Sequence, residues 1–201
     1  MRTFTIPTAA VLLTASSAFA QFGNPAGMMP ETPEARPGVP APYANVQDRL
    51  FVKLLGMGNA GEVAAGRLAG SRARHAGVKT FARRMVDDHG GAARRLEAVA
   101  KPLNLPVPTE PDPDQKAAQA RLEQLEGAAF DAAYLQAQLV DHQKSVILLH
   151  WVISNGQDAG IQSFAKETLP AVQDHLRHVQ ALMAEVTGAA GPVDPPVVAH
   201  R

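Results

Sequence analysis

The chain has 201 residues, with 19 Lys and Arg against 19 Asp and Glu, and no Cys. That balance leaves no basic footprint for nucleic acid. The missing Cys excludes disulfides, thiolate metal ligands, cysteine nucleophiles and lipid attachment at Cys.

Residues 1–20 read as a secretory signal peptide. Arg2 is the positive start, Ala9 to Leu13 carry most of the apolar stretch, and Ala18-Phe19-Ala20 is a small-x-small site with cleavage after Ala20. The stretch is too short to span a bilayer. The mature chain is therefore expected in the periplasm or secreted, with no transmembrane span. Residues 21–45 form a Pro- and Gly-rich spacer, as in Pro30-Glu31-Thr32-Pro33 and Pro37-Gly38-Val39-Pro40. Met28-Met29 within it is too short for a copper-binding run. Residues 188–201, with Gly188, Gly191, Pro192, Pro195 and Pro196, are expected to be a disordered tail.

Between spacer and tail, over 46–187, the pattern predicts four amphipathic helices. The abundance of Ala and scarcity of aromatics favour closely packed helices over a sheet. The first helix covers 46–74, with Asn45 as N-cap and Leu50, Leu54, Leu55, Ala65, Leu68 and Ala69 as its apolar stripe. Gly56, Gly58, Gly61 and Gly66 cost helix stability there unless they permit close helix contact. The second covers 77–101, with Val78, Phe81, Met85, Leu96 and Val99 on one face and Pro102 as its stop. An extended Pro-rich connection fills 102–113. The third covers 114–155, bent or split at Gly127, and Asn155-Gly156 ends it. The fourth covers 160–187, with Pro170 expected to kink it or start a new turn. Four such stripes bury one another only by bundling, so the expected fold is an all-α antiparallel four-helix bundle.

Three Asp-His pairs lie on different helices: Asp88-His89, Asp141-His142 and Asp174-His175. Adjacent helix positions differ in direction by about 100°, so only one member of each pair faces inward. The stripes place His89, His142 and His175 inside. Asp88 falls beside Arg84 and Arg95, Asp141 beside Lys144, and Asp174 with His178, all on polar faces. On the first helix the inward stripe contains Glu62. All four inward residues stand near mid-helix, so in an antiparallel bundle they share one layer. Buried ionisable groups need compensation. Either the groups bond one another, with Glu62 holding one His protonated, or one transition-metal ion (Zn, Fe, Mn or Cu) is held by Glu62, His89, His142 and His175. Asp131 and Tyr134 are candidates to extend this layer. Trp151 reads as a core plug near a bundle end, and His75, His150 and His178 as exposed or marginal.

The run Phe81-Ala82-Arg83-Arg84-Met85-Val86-Asp87-Asp88-His89 resembles the signature of an exported bacterial family known as domain of unknown function 4142, commonly labelled as outer membrane proteins. Three further parts agree. They are Glu62 with Ala65-Gly66-Arg67-Leu68-Ala69; Phe130-Asp131-Ala132-Ala133-Tyr134 with Asp141-His142; and Phe164-Ala165 with Thr168-Leu169-Pro170 and His175-Leu176. The resemblance implies a ferritin-like bundle and leaves activity open. Di-iron ferritin-like sites use Glu-x-x-His pairs. The residues three before the His here are Val86, Leu139 and Val172, so a dinuclear centre is disfavoured. The first functional reading is a non-catalytic envelope binding or stress-related module whose layer binds one metal ion. The second is a mononuclear metalloenzyme acting in water activation or reactive-oxygen chemistry. The third is a structural bundle that docks through 21–45. The expected partner is an envelope protein or a small ligand.

Overall fold

A computed structural model describes residues 45–188. The expected signal peptide (1–20), the expected spacer (21–45, with Met28-Met29) apart from Asn45, and the expected tail (188–201) apart from Gly188 lie outside them. The described residues are helical, without a strand: α1 is Val46–Arg72, α2 Ala76–Ala100, α3 Pro113–Leu122, α4 Gly127–Asn155 and α5 Ala159–Val186. No described helix is long and apolar enough to cross a membrane.

The chain starts and stops these helices by local chemistry. Asn45 caps α1, its side-chain oxygen accepting from the Asp48 N–H at 2.6 Å. A single 3-10 turn, Lys101–Leu103, follows α2, and Asn104 leaves it with φ at 54°. Asp112 then opens α3 through a reciprocal capping box with Gln115, and Pro113 occupies the first turn. The third expected helix is split rather than bent. Residues 123–126 separate α3 from α4, and Gly127, which begins α4, has φ at +60°, a conformation that costs Gly least. Helix α5 runs on through Pro170, where the missing N–H removes one intrahelical bond.

The four long helices pack α1 on α2, α2 on α5, α5 on α4 and α4 on α1. The glycines of α1 matter for the first of these contacts. A Cβ at Gly66 would stand 2.8 Å from the Ala82 carbonyl oxygen, so the absence of a side chain lets α1 and α2 approach there. One expectation for α1 needs correction. Leu50 and Leu54 are exposed, while Phe51, Val52 and Leu55 are buried. The stripe starts one position later because Phe51, the largest apolar group of that turn, takes the inward direction and packs edge-on to Phe164.

The apolar core falls into two clusters. One holds Phe51, Leu55, Leu96, Leu149, Ile161 and Phe164; the other holds Phe81, Met85, Phe130, Tyr134, Leu135 and Val179. Trp151 is half-buried against the first of them, as the plug reading expects. Each long helix brings at least one buried polar residue between the two clusters.

Each helical hairpin is clasped by a carboxylate of the other. Asp131, in the second turn of α4, accepts from the Arg74 and His75 N–H groups at 3.0 and 2.8 Å, across the α1–α2 turn. Asp48, in the first turn of α1, accepts from the Gln157 and Asp158 N–H groups at 3.2 and 2.9 Å, across the α4–α5 turn. Asp131 therefore serves the turn and does not extend the polar layer. His75, at the α2 N-cap position, makes no side-chain cap bond, and Asp131 satisfies that end instead. Asp131→Ala leaves two part-buried backbone donors without their acceptor, so it is expected to lower the unfolding free energy by about 1–3 kcal/mol. Urea denaturation checks this; Asp131→Asn, which keeps one acceptor oxygen, is expected to lose less.

Candidate metal centre

Between the two apolar clusters, α1 brings Asn59 and Glu62, α2 brings His89, α4 brings Gln138 and His142, and α5 brings His175. All six are buried, none more than 5% exposed. The three imidazoles converge. Their ring centroids stand 5.3 to 5.5 Å apart, and one nitrogen of each lies within 4.8 Å of one nitrogen of each of the others.

The outer nitrogens decide the tautomers. His89 Nδ1 is 2.9 Å from Asn59 Oδ1, His142 Nδ1 is 2.9 Å from the Gln138 carbonyl oxygen, and His175 Nε2 is 2.8 Å from Asp88 Oδ2. Each of these oxygens only accepts, so each outer nitrogen carries the hydrogen and donates it. The inner nitrogens, His89 Nε2, His142 Nε2 and His175 Nδ1, are left with lone pairs. His142 Nε2 and His175 Nδ1 are 3.3 Å apart, and His89 Nε2 is buried without a hydrogen-bond partner. Three lone pairs facing one another repel unless a cation stands among them. Two imidazole nitrogens bound to one tetrahedral zinc stand about 3.4 Å apart, from bond lengths of ~2.0–2.1 Å. The 3.3 Å separation matches that edge. Holding the second ring nitrogen with a carbonyl, an amide oxygen and a carboxylate is also the usual way that ligating imidazoles are oriented.

Burial keeps the rings neutral. It lowers His142 from 6.5 to about 4, helped by the neighbouring His175 and opposed by the Gln138 carbonyl. It lowers His89 well below 6.5, with His142 and His175 adding to the effect. It lowers His175 as well, against the pull of Asp88. Neutral imidazole is the form that binds metal.

Glu62 is not among the converging atoms. Its carboxyl accepts from Gln138 Nε2 at 2.7 Å and stands 3.7 Å from His142 Nδ1, whose hydrogen goes to the Gln138 carbonyl. Burial raises it from 4.5 to about 8, with Gln138 opposing and Asp141 adding to the shift. A buried ion pair between Glu62 and a charged His is thus not what the layer is built for. Tyr134 is fully buried beneath it, its hydroxyl without a partner, and packs against Phe81 and Phe130. His150 is exposed, and His178 is half-buried with its ring edge-on to Phe81 at 5.2 Å.

Asn59, Gln138 and Asp88 were missed as partners of the imidazoles. Asn59 is three residues before Glu62 and Gln138 four before His142, so helical spacing alone marks both as neighbours on the same face. Asp88 gives no such signal. It lies on the wet side, paired with Arg84 at 3.1 Å as expected, yet it also reaches from α2 to α5. Asp141 pairs with Lys144 at 3.6 Å, and Asp174 with Arg84 and Arg177.

A family model described as domain of unknown function DUF4142 matches residues 33–182. The chain belongs to the DUF4142 family. No curated protein matches the sequence. Two solved structures resemble this DUF4142 chain, both of DUF305 proteins. One, from Streptomyces coelicolor and expected to be secreted, is 15% identical with a TM-score of 0.62, covering 70% of this chain and 92% of its own. The other, a fragment from Deinococcus radiodurans, is 18% identical with a TM-score of 0.60, covering 71% and 99%. At that identity the likeness shows a shared helical fold for the DUF4142 chain and carries no chemistry with it.

Proposed function

We propose that the protein is an exported helical module that binds one transition-metal ion through His89 Nε2, His142 Nε2 and His175 Nδ1. The observation that carries this reading is the set of three convergent lone pairs, each fixed by an acceptor on the ring's other nitrogen. Glu62 is the nearby carboxyl that offsets the ion's charge, by losing its proton or by turning in as a fourth ligand. An all-imidazole set suits Zn, Cu and Fe better than Mn, which prefers oxygen donors. The proposed architecture is a ferritin-like antiparallel four-helix bundle over 46–187, with its third helix split and its fourth kinked at Pro170. A cleavable signal peptide over 1–20 precedes it. The secretion expected of the Streptomyces coelicolor DUF305 neighbour supports a periplasmic or secreted location.

Cobalt substitution tests the site directly. Co²⁺ added to the metal-free chain is expected to give visible d–d bands of a low-coordinate nitrogen-rich site, saturating at one equivalent. Bands typical of an octahedral oxygen site, or no saturation, would contradict the proposal. Asp88→Ala frees the outer nitrogen of His175 and is expected to weaken metal binding by about 10–100-fold. Competition with a chromophoric chelator measures this, and Asp88→Asn is expected to lose less, because it retains an acceptor.

The second reading, a mononuclear metalloenzyme, has one observation in its favour. Three protein nitrogens leave coordination positions for water or substrate, as catalytic zinc sites do and structural ones do not.

A further inference from the structure

On the outer side of the α1–α2 pair, small residues recur at helical spacing: Gly56, Ala60 and Ala64 on α1, facing Ala93 on α2. Side chains this short leave a trough between the helices. The extended segment 104–111, stiffened by Pro106, Pro108 and Pro111, forms a third wall. It meets α1 at Gly56, where a Cβ would stand 2.8 Å from Pro108 Cδ. The resulting groove has a volume of about 910 Å³, within the range that accommodates a small-molecule ligand.

The lining is amphipathic. Val63, Leu105 and Val107 present apolar surface, and Arg67, Arg94 and Lys101 present positive charge. Among the described residues none of these three cations has an ion-pair or hydrogen-bond partner. Of the two acids on the rim, Glu97 and Glu110, the second is already paired with Lys116 at 3.2 Å. The groove therefore carries excess positive charge above an apolar wall. The segment 104–111 is also short of competing donors, since three of its residues are Pro.

We propose that this groove binds a small carboxylate with an apolar body. The carboxylate is held by Arg67 and Arg94, whose planar guanidinium forks match its two oxygens. The apolar body lies against Val63, Leu105 and Val107. This site is separate from the imidazole cluster and does not depend on a metal there. The two meet at one residue, Asn59, which lines the groove and accepts from His89 Nδ1.

The test uses the full chain as purified, nitrogen-15-labelled, with octanoate as probe and octanol as its neutral counterpart. Octanoate is expected to give saturable amide shifts in segment 104–111 and at the Asn59 side chain, with octanol at least roughly tenfold weaker. Arg67→Ala/Arg94→Ala is expected to bring octanoate down to the affinity of octanol with helical content unchanged. Ala60→Trp, which fills the trough, is expected to abolish both. Equal affinities for octanoate and octanol would overturn the proposal. So would shifts confined to other surfaces, an absence of saturable shifts, or full octanoate affinity in the double variant.

Discussion

Adding Zn²⁺ to the metal-free chain is expected to raise its unfolding free energy by about 4 kcal/mol when free metal stands a thousandfold above Kd. The same addition is expected to leave His142→Ala unmoved. His142 is the decisive position because it is 1% exposed and its Nε2 stands 3.3 Å from His175 Nδ1. Replacing it removes one of three neutral donors and leaves a cavity, so the variant is less stable from the start. The informative quantity is therefore the increment that metal adds and not the absolute melting temperature. His89→Ala is expected to lose the increment too, and the exposed His150→Ala to keep it. An increment that survived in both His142→Ala and His89→Ala would place the ion elsewhere.

Without metal, stability is expected to peak near pH 6.5 and to fall on both sides. In the unfolded chain each of the three imidazoles takes up a proton near 6.5, whereas burial holds the native rings neutral, His142 down to about 4. As pH falls through that window the unfolded state binds more protons, and the native state loses stability. Glu62 acts in the opposite sense. Its native pKa is raised from 4.5 to about 8, so its contribution is complete below 4.5 and is lost as pH rises through 8. Each group changes stability by at most about 1.4 kcal/mol per pH unit inside its window. Below 6.5 three imidazoles outweigh one carboxyl; above it Glu62 acts alone. Urea unfolding from pH 5 to pH 8.5 in chelator measures the curve. Glu62→Gln is expected to abolish the alkaline limb and keep the acid one. A metal-free profile that stayed level between pH 6.5 and pH 5 would mean that the rings are not held neutral.

The helices were legible because each carries its own stripe and boundary signals: Asn45 starts α1, and Pro102 and Gly156 stop α2 and α4, where expected. The inward direction of His89, His142 and His175 was legible for the same reason, since each shares a face with apolar neighbours on its own helix. What lay out of reach was anything decided between helices. Leu50 and Leu54 satisfied the spacing of α1 but lost the inward face to Phe51, whose partner Phe164 is on α5. Asp131 reads as part of the layer because it lies about two to three helical turns before His142, yet its partners are backbone groups more than fifty residues away. Asp88 sat on a polar face, and only the packing of α2 against α5 brings it to His175. Glu62 was placed in the layer correctly as to burial. Its oxygens are directed by Gln138 toward the outer side of His142, which no helical wheel reveals.

The most direct measurement is the metal content of the full chain, exported, purified without an affinity tag and reconstituted with Zn²⁺, Cu²⁺ or Fe²⁺, alongside a His89→Ala/His142→Ala/His175→Ala variant. Close to one ion per wild-type chain is expected, and almost none in the variant. Wild-type metal that stays well below one per chain after reconstitution, or equal metal in the variant, would contradict it.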